Sequence, residues 1–395
     1  MKPKVLVNLL VVAGVLVLVA AIVPRLGKGP AKGELPERLL PTLKDRINDI
    51  TSITVTSGGQ STIVERRDKA WVIPAKGAYP ARFETVKEAL LGLDELVPLE
   101  AKTANPELYA RIGVQEPGEG APSTRLTLAN ADGAEIASVI LGDEVVEGGD
   151  PKRYARVAGQ DRAFLAAGRV HAPIDPMAWI DTELLRIGRD RVSRITIRHP
   201  DGETIELVRD ATGANYTLQG VPEGREPKTP GEISAAAGSL NYLRFEDVRS
   251  MESPGFELDE PVLAAYELSN GVRLMVTLWA HEGMHWASFE AEGPAAPIQP
   301  TDASPTEDPS TAGEPTTDDP TAEARKEAGE LNAKLRGWVF SIPSYQAETM
   351  RKRMADLTQA PAASEDALPE NPPESPSFLP TLDAADDPAP GEGGG

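Results

Sequence analysis

Two stretches of this chain, 142 residues apart, carry the same β-hairpin pattern. In the first stretch, residues 53–55 alternate between apolar and polar side chains. Ser57-Gly58-Gly59 then predicts a turn, and residues 62–64 predict the returning strand. In the second, residues 195–197 lead through Pro200-Asp201-Gly202 into residues 205–207. Segments in which apolar and polar residues alternate, bounded by turn-forming residues, are typical of antiparallel strands that bury one face. A chain that repeats such a pattern is expected to contain one structural unit twice.

The correspondence continues beyond the hairpins. Each is followed by a strand with an aromatic residue, Trp71 or Tyr216, and then by an amphipathic helix, residues 83–96 or 232–243. Further on, Asp132-Gly133 and Asn270-Gly271 predict two-residue hairpin turns. We therefore predict an α+β fold made of two tandem antiparallel-sheet-plus-helix units. The predicted units are residues 41–187, and residues 188–293 continued by residues 323–358.

Two short helices have recognisable ends. Asn105 precedes Pro106 as a helix cap, with Gly113 at the other end, and Asp175 precedes Pro176 in the same way. In the second unit, we predict a helix over residues 323–335, a strand over 338–340 and a helix over 345–357. Trp71, Trp179 and Tyr216 are predicted to be core residues.

Two acidic segments rich in proline are not expected to fold. Residues 294–322 and 359–395 combine low hydrophobicity with charge of one sign, which does not offset the entropy of ordering a chain. The first is predicted to be an insert in the second unit, and the second a C-terminal tail.

Residues 5–23 form an apolar run with one polar side chain, Asn8, and no charge. A helix of that length is roughly 28 Å long, close to the hydrocarbon thickness of a bilayer. A cleaved signal peptide is the alternative, although its apolar run is usually shorter. We predict a transmembrane helix with a cytoplasmic tail at residues 1–4 and a linker at 24–40. Basic residues flank both ends, and we favour export of the body.

Charge and cysteine content exclude several classes of function. The net charge is −21, and the first 32 residues contribute five bases and no acid, so the body is strongly acidic. Such a body is repelled by nucleic-acid phosphates, and we predict no nucleic-acid partner. The absence of cysteine excludes disulfides, thiolate metal sites and a cysteine nucleophile.

One motif suggests metal chemistry: His281-Glu282-Gly283-Met284-His285 matches the H-E-x-x-H pattern of zinc peptidases. That chemistry requires a helix, which places both histidines on one face. Here the flanking residues alternate as strands and Gly283 disfavours a helix, so we predict a β-turn instead. No phosphate-binding or nucleophile motif is present. We therefore assign no catalytic, cofactor-binding or metal-binding residue, expect no cofactor, and predict a non-enzymatic protein.

Several segments resemble a known bacterial family, the domain of unknown function 4340. The resemblance is carried by residues 40–53, by Asn105-Pro-Glu-Leu-Tyr109 with its neighbours, and by Asp175-Pro-Met-Ala-Trp179. It implies a single N-terminal membrane helix, a body exported from the bacterial inner membrane, and association with ABC transporters of the gliding-motility type. The family supplies no catalytic residues.

Three hypotheses follow. The leading one is an accessory subunit of an ABC-type transport system, bound to the permease or an auxiliary subunit. The second is an envelope scaffold or glycan-binding module. The third is a membrane-tethered metallopeptidase that uses His281, Glu282 and His285.

Overall fold

Alternating apolar residues build two large antiparallel sheets in this protein. The structure is a computed structural model, and it describes residues 35–147, 149–253, 260–295 and 320–361. The first large sheet contains β1 (Ser52–Ser57), β2 (Gln60–Arg67), β3 (Ala70–Ile73), β4 (Tyr79–Pro80), β5 (Val97–Ala101), β6 (Thr124–Ala129), β7 (Glu135–Glu147), β8 (Asp150–Val157) and β9 (Ala163–Ala167).

The second large sheet is formed by the later part of the chain. It contains β11 (Val192–Arg198), β12 (Thr204–Arg209), β13 (Tyr216–Leu218), β16 (Asp247–Ser250), β17 (Val262–Leu268), β18 (Arg273–His281), β19 (Met284–Glu292) and β20 (Trp338–Ile342). Two small pairs complete the strands, β10 (Glu183–Leu185) with β15 (Leu243–Arg244), and β14 (Glu226–Pro227) with β21 (Thr358–Gln359).

The strand orders of the two large sheets correspond. The first runs β4-β3-β2-β1-β6-β7-β8-β9-β5, and the second runs β13-β12-β11-β17-β18-β19-β20-β16. In both, the first hairpin pairs with a later run of four sequential strands, β6 to β9 or β17 to β20, and β5 or β16 lies at the far edge. The neighbouring strands pair antiparallel throughout these sheets. The α+β class and the antiparallel sheets are therefore confirmed.

Both predicted hairpins are present, and their apolar residues face the core except for Ile63, which is exposed. Ile53 pairs with Val64 in the first, and both side chains are fully buried. The turn residues Gly58 and Gly59 have φ values of 57° and 80°, a left-handed conformation that glycine adopts without strain. In the second hairpin Ile197 pairs with Ile205, and both are again fully buried.

The helices pack around these sheets. They are α1 (Leu43–Arg46), α2 (Phe83–Asp94), α3 (Pro230–Ser234), α4 (Pro320–Leu335), α5 (Ser344–Met350) and α6 (Met354–Leu357), with 3-10 helices at Ile47–Asp49, Pro74–Lys76, Pro106–Ile112, Pro176–Trp179, Arg189–Arg191 and Ala235–Gly238. The predicted caps are confirmed, since Asn105 accepts a hydrogen bond from Glu107 N (3.1 Å) and Asp175 accepts one from Met177 N (2.9 Å).

Two predicted helices of the second unit are wrong in extent. The helix predicted over residues 232–243 starts at Pro230 and passes into a short 3-10 helix that ends at Gly238. Ser239 then bonds the carbonyl of Ala236 through its hydroxyl (2.7 Å), which competes with the helical backbone. The helix predicted over residues 345–357 is broken between Met350 and Met354.

Helix α4 attaches to the edge of the second sheet. Strand β20 pairs with β19 only over residues 285–287. Beyond this pairing, the Asn332 side chain accepts from Ala291 N (2.8 Å) and donates to Ala291 O (2.7 Å). The amide group of Asn332 therefore replaces a neighbouring strand at this position. The helix begins at Pro320, within the segment predicted as an insert.

The turn before β4 packs on the second sheet. Lys76 Nζ lies 2.6 Å from Asp247 Oδ1, and both side chains are mostly buried. Tyr79 packs edge-on against Phe245, Trp338 and Phe340, with ring centroids 5.6, 4.9 and 6.0 Å away. These contacts continue one apolar core through both sheets.

Several predicted segments lie outside the described residues. These are the tail at 1–4, the transmembrane helix at 5–23, most of the linker at 24–40, and most of the acidic segments 294–322 and 359–395. Among the helices of the described ranges, none has the length and apolar character needed to span a bilayer.

Candidate functional site

The H-E-x-x-H segment lies at the tip of the β18–β19 hairpin. His281 is the last residue of β18 and Met284 is the first residue of β19. The two residues between them, Glu282 and Gly283, have φ values of 51° and 77°. Two successive left-handed residues form the two-residue turn that fits the twist of a hairpin. The predicted β-turn is confirmed.

The hairpin register separates the two histidines. His281 pairs directly with Met284, and His285 pairs with Ala280. Directly paired residues project from the same face, and adjacent residues project from opposite faces. His281 and His285 therefore point to opposite sides of the hairpin and are not placed to ligate one metal ion. In the described part of the chain, no three His, Cys, Asp or Glu side chains lie where they could hold a metal.

A polar cleft lies near this hairpin, with a volume of about 440 Å³. One wall is the turn between β11 and β12, with His199 and Pro200, and the opposite wall is the junction of α5 and α6. That junction contributes Arg351, Lys352 and Arg353. The volume falls in the range of roughly 300–1,000 Å³ that is typical of small-molecule sites.

Long-range hydrogen bonds hold this junction in place. Arg353 Nη1 donates to Asp201 Oδ2 (2.7 Å) and to Glu203 Oε2 (2.5 Å), and Met354 N donates to Glu203 Oε1 (2.9 Å). The hydrogen bond from Arg353 holds the pKa of Asp201 below its usual value. His199 is buried, and its Nε2 donates to the carbonyl of Lys352 at 3.2 Å. The cleft is therefore built on a fixed backbone.

The three cations of the junction differ in their partners. Arg353 forms salt bridges with Asp201 and Glu203, whereas Arg351 and Lys352 form none with any described residue. Arg351 Nη1 lies 3.5 Å from Nδ1 of His285. A guanidinium group only donates, so His285 accepts through Nδ1. Arg351 and Lys352 therefore line the cleft without a salt bridge to a described carboxylate, and Glu232 is within electrostatic range of Lys352.

A second candidate surface is apolar and lies on α2. Phe83 and Leu91 are 62% and 38% exposed, eight residues apart on the helix. Both line a hollow of about 210 Å³, whose other walls include Ile50, Trp71 and Leu90. Because neighbouring apolar groups usually cover such side chains, the exposed pair marks a possible contact surface for another molecule. We call this surface the α2 face.

Residues 38 and 39 bind the C-terminal end of α2, near Leu91. Arg38 Nη1 lies 2.9 Å from Asp94 Oδ2 at the end of α2, and Leu39 N donates to Leu96 O at 2.8 Å. Further apolar residues are exposed nearby in the sequence, namely Leu35, Val97 and Leu99. The segment that arrives from the N-terminal region is therefore bound to the C-terminal end of α2.

Sequence reasoning assigned no site residue and found neither surface. The cleft had one signal, the three successive bases at residues 351–353, but a predicted continuous helix concealed it. Its other wall includes His199, which is 153 residues from Lys352 in sequence. The α2 face also had a signal, since Leu91 lies among Lys87, Glu88 and Glu95 on the polar side of an otherwise regular amphipathic helix.

Comparisons with known proteins gave one match. The family model described as "Domain of unknown function (DUF4340)" matches residues 71–270. That range covers most of β3 and all of β4 to β9 in the first large sheet, and β11, β12, β13, β16 and β17 in the second. No curated protein matches the chain, and no solved structure matches it.

Proposed function

The chain belongs to the family described as "Domain of unknown function (DUF4340)", and we propose that it is a non-enzymatic, membrane-anchored protein of the bacterial envelope. In this proposal, residues 5–23 span the inner membrane once and the body lies on the extracytoplasmic side. The body acts as an accessory subunit of an ABC-type transport system and contacts its permease or an auxiliary subunit.

Support for the anchor comes from the sequence. Residues 5–23 are apolar throughout except for Asn8, and lysines and an arginine flank them on both sides. Resemblance to the family supports the exported body and the transporter association. The duplicated architecture is also a proposal, supported by the corresponding strand orders of the two large sheets.

The single observation that carries a role in assembly is the α2 face. An exposed Phe83 beside an exposed Leu91 leaves apolar area in contact with water, which a partner surface would cover. The end of α2 binds the segment that leads from the proposed anchor, through Arg38 and Leu39. In this proposal, a partner in the same membrane covers the α2 face.

Cross-linking from single cysteines tests the assembly. The chain has no cysteine, so Phe83→Cys and Leu91→Cys each create a unique thiol. Membranes are treated with a maleimide photocross-linker, and the adducts are identified by mass spectrometry. We expect adducts with an ABC permease or its auxiliary subunit. Tyr345→Cys, at a side chain that is 67% exposed in the second unit, is the matched control.

The outcome distinguishes the hypotheses clearly. Adducts from Phe83 and Leu91 that identify a transporter subunit, with none from Tyr345, support the proposal. Repeated recovery of the chain alone from both positions on the α2 face contradicts it. The same Tyr345→Cys variant reports the topology, because a membrane-impermeant maleimide labels it in spheroplasts only when the body is outside the inner membrane.

A second candidate function, a glycan-binding module, is favoured by one aromatic side chain. Tyr242 is 58% exposed with a φ of 52°, and the guanidinium of Arg186 lies 4.7 Å from the centre of its ring. Exposed aromatic rings held in place are suitable for stacking on sugars. Binding to purified cell-wall material that Tyr242→Ala abolishes would favour this function over the transporter role.

A further inference from the structure

We propose that the polar cleft between the β11–β12 turn and the α5–α6 junction binds a small zwitterion, whose anionic group contacts Arg351 and Lys352 and whose cationic group faces Glu348 and Glu260. This site is separate from the α2 face, and its occupation does not depend on the proposed transporter association.

The anionic group of the ligand is bound by Arg351 and Lys352, the two cationic side chains of the cleft that form no salt bridge with a described residue. The positive charge of Arg353 is balanced by Asp201 and Glu203, so Arg353 stabilises the cleft wall and is not expected to bind the ligand. Arg351 and Lys352 are only partly exposed, and neither forms a salt bridge with a described residue. A guanidinium group offers several donors in a planar arrangement that matches a carboxylate or phosphate. The contact with His285 uses one of them.

The cationic group of the ligand faces carboxylates that line the same cleft. Glu260, Glu348 and Asp356 line it and are exposed. A ligand with negative charge alone would be attracted by two cations and repelled by three carboxylates, within a chain whose net charge is −21. A ligand that also carries an ammonium group avoids this repulsion. The arrangement of charge therefore favours a zwitterion over a simple anion.

The cleft wall is held in shape without a ligand. His199 is 7% exposed and donates to the carbonyl of Lys352. Glu203 binds both the side chain of Arg353 and the backbone of Met354. Because the backbone of residues 352–354 is fixed, binding costs little conformational entropy there.

Two chemical sources supply such a zwitterion. An amino acid or short peptide has a carboxylate and an ammonium, and an ethanolamine phospholipid headgroup has a phosphate and an ammonium. Isothermal titration calorimetry with the full chain in detergent micelles separates them, with alanyl-alanine and phosphoethanolamine as the probes. Acetate and ethylamine carry the single charges and serve as ligand controls.

We expect one probe to bind at least about tenfold more tightly than acetate or ethylamine. Removal of one charged contact costs enough free energy that Arg351→Gln and Glu348→Gln should each weaken binding by about tenfold or more. Lys352→Gln gives an independent check on how the anionic group is bound. Lys326→Gln is the matched protein control, because Lys326 is an exposed base on α4 outside the cleft.

Three results would overturn the site. They are the lack of measurable binding for both probes at millimolar concentration, equal binding of acetate and the zwitterions, and unchanged affinity in both Arg351→Gln and Lys352→Gln. Each variant is first compared with the unsubstituted chain by thermal unfolding, so that loss of binding is read only from folded protein.

Discussion

At the scale of single residues, Gly92 shows how packing outweighs helix propensity. Gly92 lies inside α2, where alanine is intrinsically favoured by about 1 kcal/mol. However, a Cβ at this position would press on the carbonyl oxygen of Arg169 and lie 3.0 Å from Cα of Val170. Both atoms belong to backbone, which does not move aside easily. We expect Gly92→Ala to lower the free energy of unfolding by about 1–3 kcal/mol.

The matched control is Gly329, in the exposed part of α4. A Cβ there meets no atom within 4 Å, so only helix propensity acts. Gly329→Ala should raise the free energy of unfolding by up to about 1 kcal/mol. Urea unfolding followed by circular dichroism measures both variants. A stabilised Gly92→Ala protein would show that the α2–Arg169 contact is looser than the structure indicates.

Tyr79 provides a pH-dependent test at the same scale. Burial, with a smaller effect of Asp181, raises its pKa from 10.0 to about 12. The folded state therefore holds this proton more tightly than the unfolded state does. The stabilisation that comes from the raised pKa of Tyr79 is complete below pH 10 and is lost as the pH rises towards 12. Tyr79→Phe should remove part of the alkaline loss of stability, as measured by urea unfolding at pH 8 to about pH 11.

The remaining alkaline dependence in Tyr79→Phe comes from other buried phenols. Burial also raises the pKa of Tyr266, whose hydroxyl lies 2.9 Å from that of Ser239. Tyr79→Phe and the unsubstituted chain should be similar in stability at neutral pH, because the ring is retained. Identical alkaline profiles for the two proteins would contradict the assignment.

At the scale of elements, local sequence patterns were sufficient to predict the hairpins and the short helices. Ile53 and Val55 alternate with polar residues, and the caps at Asn105 and Asp175 act on neighbouring backbone. The break between α5 and α6 could not be found this way. It is held by Glu203 and Asp201, which are 150 and 152 residues from Arg353. Information of that kind is present in the tertiary contacts and not in local propensity.

The docking of α4 gives an element-scale prediction. Asn332 makes both hydrogen bonds to the backbone of Ala291, on the side of β19 where the pairing with β20 has ended. Asn332→Ala leaves a partly buried donor and acceptor unpaired, which costs about 1–3 kcal/mol. We expect faster hydrogen exchange in residues 320–335 and at the amide of Ala291, with the core strands β11 and β17 unchanged. Mass spectrometry of peptides after exchange measures it.

A neighbouring substitution controls for helix content. Glu330 is an exposed residue of α4 that pairs only weakly with Lys326, at 3.9 Å. Glu330→Ala should leave the exchange of α4 almost unchanged, since exposed pairs of this kind contribute little. Equal exchange in Asn332→Ala and Glu330→Ala would mean that the side chain of Asn332 does not hold the helix.

At the scale of the whole molecule, the two large sheets share one apolar core. Each sheet contains the hairpin that the sequence predicts, but the way the sheets join was not predicted. The contact between them includes Tyr79, Gly77 with a φ of 68°, and the Lys76–Asp247 salt bridge. None of these residues has a local pattern that indicates its partner, so sequence analysis predicted two units without their interface.

Tyr79→Ala tests whether this contact makes the two sheets unfold together. The ring of Tyr79 is 5% exposed and packs against three aromatic rings of the second sheet region. Its removal should destabilise the protein by about 3–5 kcal/mol and weaken the coupling between the sheets. Differential scanning calorimetry should then resolve two transitions in place of one.

Tyr345→Ala, at an exposed side chain, should leave the transition unchanged. A single transition in Tyr79→Ala, displaced to lower temperature, would show that other contacts of the shared core are sufficient to keep the sheets cooperative.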